Sequence, residues 1–163
     1  MKKYKKIGDF KIILKIKKII LGIGSASIVA IPMATVVACG LTQEQITERQ
    51  ALIRITLATN PQLSSLEKQG NFANTLPSQV TSANLATFVK TPGVFTLPEN
   101  KGTLTFSLKL LEKANLDAML LTNPNFKAAD DSTGILVVSL LVTYDGVTVP
   151  VPTIVSGFKM AQV

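Results

Sequence analysis

Histidine and tryptophan are absent from this 163-residue chain, and cysteine occurs once, at Cys39. Without histidine there is no Ser/His/Asp or Cys/His relay, and no zinc site built on imidazole. A lone thiol rules out an intramolecular disulfide, so stability must come from a hydrophobic core. Phosphate-cradling glycine loops are missing, since Gly22-Ile23-Gly24 lies within an apolar run. The spaced acids and closing Glu of a calcium loop are missing too. Asp130 and Asp131 adjoin just before Ser132-Thr133-Gly134, the composition of a solvated turn rather than of a general acid/base pair. Among the few aromatics, Tyr144 and Phe158 stand in strand contexts that make them packing residues. These residues imply no enzyme, no cofactor and no metal.

What the chain does have is a lopsided charge distribution. The overall balance is +7, which by itself points to nucleic acid or an acidic surface. Eight lysines and the single acid Asp9 fall before Ile19, so that stretch carries the whole excess. The remainder from Cys39 holds nine basic and nine acidic residues. No basic stripe is left to displace counterions from a phosphate backbone, so nucleic acid is not an expected partner.

The lysine cluster Met1 to Lys18 is followed by twenty uncharged residues, Ile19 to Ala38. As a helix that run would measure about 30 Å, enough to cross a hydrocarbon core. A permanent span therefore competes with a cleaved leader. Gly22, Gly24, Ser25, Ser27 and Pro32 weaken a lasting helix, and the run closes on Val36-Val37-Ala38-Cys39. A cationic stretch, an apolar stretch, a small residue and a cysteine resemble the export leader and lipobox of bacterial lipoproteins. Val36, Val37 and Ala38 are then the signal-peptidase recognition residues and Cys39 the lipid attachment site. The competing reading is a buried free cysteine ending an uncleaved helix. Two acyl chains on Cys39 would anchor stably where one would not.

Past Cys39 there are 125 residues, enough for one compact domain and a tether. Thr42-Gln43-Glu44-Gln45 has the pattern of a capping box. It opens a helix to about Ala58, with Ile46, Ile53 and Leu57 on one face, although Ile53 to Leu57 also alternates like a strand. Asn60-Pro61 ends it, a short helix is expected around Leu63 to Lys68, and another after Leu76-Pro77-Ser78. The latter has Thr81 or Ser82 as cap and Leu85, Phe88 and Val89 inward. Thr103 to Leu110 alternates as a strand, Ala114 to Leu121 reads as a helix, and Ile135 to Tyr144 is a strand apolar on both faces.

Asp145-Gly146 predicts a two-residue type I′ hairpin. The register follows: Tyr144 with Val147, Val142 with Val149 and Leu140 with Val151 on one face. Thr143 with Thr148, Leu141 with Pro150 and Ser139 with Pro152 lie on the other. Both prolines fall where the N–H points away from the partner strand, so Val147 to Val155 is expected at a sheet edge. Thr59-Asn60-Pro61 and Thr122-Asn123-Pro124 share turn chemistry, not a repeat.

Leu76-Pro77-Ser78, Asn84-Leu85, Phe88, Leu104 to Leu108, Asp131 to Val138, Tyr144 and Ile154 to Lys159 stand in a recognisable order. The segment Leu76 to Lys159 resembles the type-17 lipoprotein-associated repeat of mycoplasma and ureaplasma surface lipoproteins. It departs from the family pattern in holding one copy and a longer insert, Glu112 to Asp130. The resemblance implies a lipid-anchored surface protein, often antigenic and variable, with no family catalytic residues.

The expected fold class is α+β: about three antiparallel strands with a C-terminal hairpin, packed on one face by two to four short helices. Residues 1–38 read as signal peptide, 39–75 as tether and N-terminal helical segment, and 76–160 as the α+β domain. The expected function is a non-catalytic surface antigen or interaction module. It is lipid-anchored at the extracellular face of the cell membrane and contacts membrane lipid and host or neighbouring surface proteins. The alternative is an accessory lipoprotein of a transporter or surface enzyme complex, with a small-molecule pocket.

Overall fold

A computed structural model describes residues 40–162, so Val36, Val37, Ala38 and Cys39 lie outside the described residues. The first helix, α1, runs Gln43–Thr59. Its capping box is complete: Gln45 N–H donates to Thr42 Oγ1 (3.3 Å) and Thr42 N–H to Gln45 Oε1 (2.9 Å). Two of the four orphan donors of the first turn are thereby satisfied. Burial at Ile46, Ile53 and Thr56, with Ile55 exposed, follows the helical period rather than alternation. The helix stops at Asn60, whose N–H bonds back to Thr56 O (2.9 Å). The helix Lys113–Thr122 ends the same way, Asn123 N–H to Met119 O at 2.9 Å, which is the shared turn chemistry of the two Thr-Asn-Pro triplets.

Beyond α1 the chain is mostly short pieces. A 3₁₀ turn spans Pro61–Ser64, and β1 is Glu67–Lys68. The helix expected around Leu63 to Lys68 is therefore one 3₁₀ turn and a strand. Pairing with β2 (Val89–Lys90) extends through Gln69 N–H to Phe88 O (2.9 Å) and overrides the weak local helical preference. Pro77–Gln79 is again 3₁₀, and helix α2 is only Leu85–Phe88. Its cap residue is Asn84, not Thr81 or Ser82: the Asn84 carboxamide accepts from Thr81 N–H (2.7 Å) and closes the preceding turn instead. Leu85 and Val89 are buried as expected.

The main sheet has five strands, and β1 with β2 forms a separate pair. This corrects the expected count of about three. The three long strands are those expected: β4 Thr103–Leu110, β6 Ile135–Tyr144 and β7 Val147–Ser156. The additional ones, β3 (Phe95–Thr96) and β5 (Ala129–Asp130), are two residues each, too short for any periodic pattern to show. All pairings are antiparallel. β6 is central, with β7 on one side. On the other, β4 pairs along 138–143 and β5 along 135–136. The insert holding α3 (Lys113–Thr122) thus leaves the sheet after β4 and rejoins the same edge of β6 as β5.

The hairpin register is the one its turn dictates. Asp145 (φ 44°) and Gly146 (φ 79°) both occupy the left-handed region, and all six expected pairs from Tyr144–Val147 to Ser139–Pro152 are present. The hydroxyls of Thr143 and Thr148 meet at 2.8 Å across it. Among the described residues β7 pairs with β6 alone, so Pro150 and Pro152 do lie on an edge, where they remove outward N–H groups.

Two core clusters share one face of the sheet. One gathers Val80, Leu85, Val89, Leu136, Val138, Val155 and Phe158. The other joins Ile53 of α1 and Leu97 to Leu104, Leu140, Val142 and Val149. Leu66 and Leu108 touch both, so the layer is continuous. On the opposite face Val137 and Ser139 are also buried, as expected of a central strand apolar on both sides.

Candidate functional site

The described chain begins at Gly40, and only Gly40 and Leu41 precede the Thr42 cap. A lipid on Cys39 would therefore be separated from the first turn of α1 by two residues, a reach of about 10 Å when extended. From that turn inward, α1 is fixed to the sheet. Ile53 is fully buried against Leu140 and Val149. Arg49 forms an ion pair with Asp145 of the hairpin turn at 2.5 Å, tying the helix to the tip of the hairpin. The other terminal guanidinium nitrogen of Arg49 is buried without a hydrogen-bond partner. Exposure of Asp145 keeps this pair weak.

The acids considered as catalytic candidates are engaged structurally. Asp130 Oδ1 accepts from the Ser132 backbone N–H (3.0 Å) and hydroxyl (2.6 Å), an Asx turn. Asp131 reaches across to Ser78, accepting from its N–H (2.8 Å) and its hydroxyl (2.6 Å). It therefore clasps the Pro77–Gln79 turn to the connection that leads from β5 into β6 instead of standing free in solvent. Asp145 is at the far end of that strand. Among the described residues no group of three His, Cys, Asp or Glu side chains stands close enough to hold a metal ion.

Tyr144 and Phe158 pack, as expected. The Tyr144 hydroxyl donates to Lys101 O (2.6 Å), and Phe158 meets Phe72 and Phe88 edge to face at 6.1 and 6.2 Å.

Two carboxyls are held below the ordinary carboxylate range. The Ser132 hydroxyl does this for Asp130, and the Lys101 ammonium, 2.8 Å away, for Glu99. A carboxyl whose pKa is lower in the fold stabilises it above the unfolded pKa and loses that contribution as pH falls through the folded value. With no histidine present, no side chain ordinarily titrates between about pH 5 and 8. The urea midpoint is accordingly expected to stay flat from about pH 5 to 8 and to fall below about pH 4. A decline between about pH 6 and 7 would contradict this charge assignment.

One surface feature was not visible in the sequence. A cleft of about 300 Å³ is lined by Gln69, Ser82, Leu85, Ala86, Val89, Lys90, Thr91, Ser107 and Leu108. Ser107 and Leu108 are adjacent in β4 and their side chains point to opposite faces. A cleft that both of them line runs along the strand's edge. β6 occupies the inner edge, so the cleft follows the outer one. Its opposite wall is α2 and β2. Alternation located β4 but carried no information about which of its edges is paired; the only sequence signal was the lack of proline in β4 beside the two in β7.

No helix among the described residues is long and apolar enough to cross a membrane. Residues 56–160 match the family described as a lipoprotein associated domain. That segment starts within α1 and covers well over half of the chain. No curated protein and no solved structure matches.

Proposed function

The chain belongs to the lipoprotein associated domain family, and from that premise we propose that it is a lipid-anchored protein of the outer cell surface that acts as a non-catalytic interaction module or antigen. The observation that carries this reading is the position of Cys39 after Val36-Val37-Ala38, with two residues between it and the cap of a helix that packs on the sheet of the matched segment. A diacylated cysteine there would hold the domain directly at the lipid surface, with almost no slack. The absence of histidine and the commitment of the one thiol to lipid leave no nucleophile–base pair of the common kinds.

The alternative, an accessory lipoprotein with a small-molecule pocket, draws less support. Pockets that enclose small molecules run from roughly 300 to 1,000 Å³ and are mostly apolar. The cleft beside β4 is at the floor of that range, and Gln69, Ser82, Lys90, Thr91 and Ser107 are among its lining residues. Meanwhile the outer face of β4 presents exposed Thr103, Thr105, Ser107 and Lys109, a polar surface over a closed core.

Cells making the wild-type chain are expected to incorporate a radioactive fatty acid into it, and cells making Cys39→Ser are not. Protease added to intact cells should remove the labelled protein. An unlabelled wild-type chain would end the lipoprotein reading, and a labelled but protected one would end the surface assignment.

A further inference from the structure

The hairpin turn sets which backbone groups of the sheet are spent and which are free. In a two-residue hairpin the pair flanking the turn is hydrogen-bonded, so Tyr144, Val142, Leu140 and the other even-numbered residues of β6 bond to β7. The odd-numbered ones turn the other way, as the Val137 N–H to Ala128 O bond (2.6 Å) confirms. Their partners in β4 are Thr105, Ser107 and Lys109. The even-numbered residues of β4 therefore direct N–H and C=O outward. Leu104 spends its groups on Phe95 of β3, where that short strand ends. Phe106, Leu108 and Leu110 have no such partner among the described residues.

Three N–H and three C=O groups in alternation along an extended edge are complementary to one thing above all, another extended backbone. The protein treats its two long edges differently. β7 carries Pro150 and Pro152, which remove the donors an incoming strand would need. β4 carries neither proline nor glycine, and a cleft runs beside it.

We propose that the outer edge of β4, from Phe106 to Leu110, binds an extended, neutral or acidic peptide segment of another surface protein as an added strand, seated between β4 and the wall formed by α2 and β2. The wall decides for a single strand against a second copy of this chain, because a second copy would bring its own α2 and β2 into the same space. Charge sets a preference: Lys90 is the one charged residue in the lining, and the acid paired with it at 3.5 Å, Glu67 of β1, lies outside the lining in an exposed and therefore weak ion pair. Alternate side chains of the guest would lie over Leu85 and Leu108 on the core side and beside Ser107 on the outer side. This names the partner class for the interaction module proposed above and rests on that reading for the source of the peptide.

The test uses the full chain in detergent micelles, so it does not depend on whether Cys39 carries lipid, which fatty-acid labelling decides separately. The probe is a fluorescein-labelled, amidated heptapeptide, Glu-Val-Thr-Val-Ser-Val-Glu, followed by anisotropy. Saturable binding is expected, and N-methylating alternate amides in one of the two possible phases should weaken it by about tenfold or more. On binding, the amides of Phe106, Leu108 and Leu110 should slow in hydrogen exchange by at least about tenfold. Ala86→Phe, at an exposed position of the wall, should fill the cleft and weaken binding by a similar factor, with circular dichroism confirming the fold. Should that variant misfold, Lys90→Glu is expected to reverse the preference between Glu-flanked and Lys-flanked peptides. No saturable binding, or undiminished binding of both N-methylated phases, overturns the proposal. So does binding that leaves the three amides unprotected. Self-association of the chain that protects the same amides would overturn it in favour of a second copy.

Discussion

A chain shortened to begin at Leu76 is expected to lose its cooperative urea transition, whereas one that begins at Gly40 keeps it. Beyond Gly40 and Leu41, the segment up to residue 75 packs into the fold. Ile53 is fully buried in the sheet-facing cluster, Ile46 and Leu63 are buried, and Phe72 packs on Phe158. Strand β1 also supplies the only partner of β2 among the described residues. Each fully buried large apolar side chain contributes roughly 1.5–3 kcal/mol, so Ile46, Ile53 and Leu63 together are worth about 4.5–9 kcal/mol, comparable to the roughly 5–15 kcal/mol that holds a whole domain together. A chain that begins at residue 56, where the family match starts, keeps Leu57 but loses Ile46, Arg49 and Ile53. It is expected to be marginal at best. In the intact chain Ile53→Ala alone should cost about 2–5 kcal/mol, the range for an aliphatic side chain deleted from a packed core. An unchanged transition in the chain from Leu76 would show that residues 76–160 are self-sufficient.

Gly134→Ala should be nearly as damaging, from the addition of one methyl group. Gly134 opens β6 with φ 66°, a conformation that costs an L-residue about 1–2 kcal/mol. The added Cβ would also lie well inside contact distance of the Phe158 carbonyl oxygen. That neighbour cannot step aside cheaply. Its residue donates its N–H to Gly134 O (3.1 Å), and its ring sits between Phe72 and Phe88. Relief of the contact displaces the last strand's anchor, which adds about 1–3 kcal/mol of packing loss. The total expected from chemical denaturation is about 2–5 kcal/mol. Gly93→Ala is the control: its Cβ would meet nothing within 4 Å and its φ is not in the left-handed region. That change should be near neutral or slightly stabilising. Equal midpoints for the two variants would refute the argument.

What could be read from the sequence was what local chemistry settles. The Thr42–Gln45 box, the alternation of β4 and the Asp145-Gly146 turn each involve residues a few positions apart, and each appears where expected. The misassigned pieces are those whose state depends on a distant partner. Glu67–Lys68 is a strand only because Val89–Lys90 lies beside it. Ala129–Asp130 is one because β6 extends past the end of β4. Asp131 looked like a solvated turn acid, since nothing in its neighbourhood announces Ser78, 53 positions away.

The sequence alone determined how the protein is expected to be placed: one cysteine, after a charged and then an apolar run, with a neutral domain behind it. It also determined the hairpin register and through it the direction of every backbone group in β6 and β7, because a two-residue turn leaves no choice of pairing. Only the tertiary structure decided which edges are left over. Whether a strand's outer groups are spent depends on what the rest of the chain brings alongside, and no periodicity within β4 encodes that. The same holds for α1, which joins the core by packing against residues about ninety positions further on.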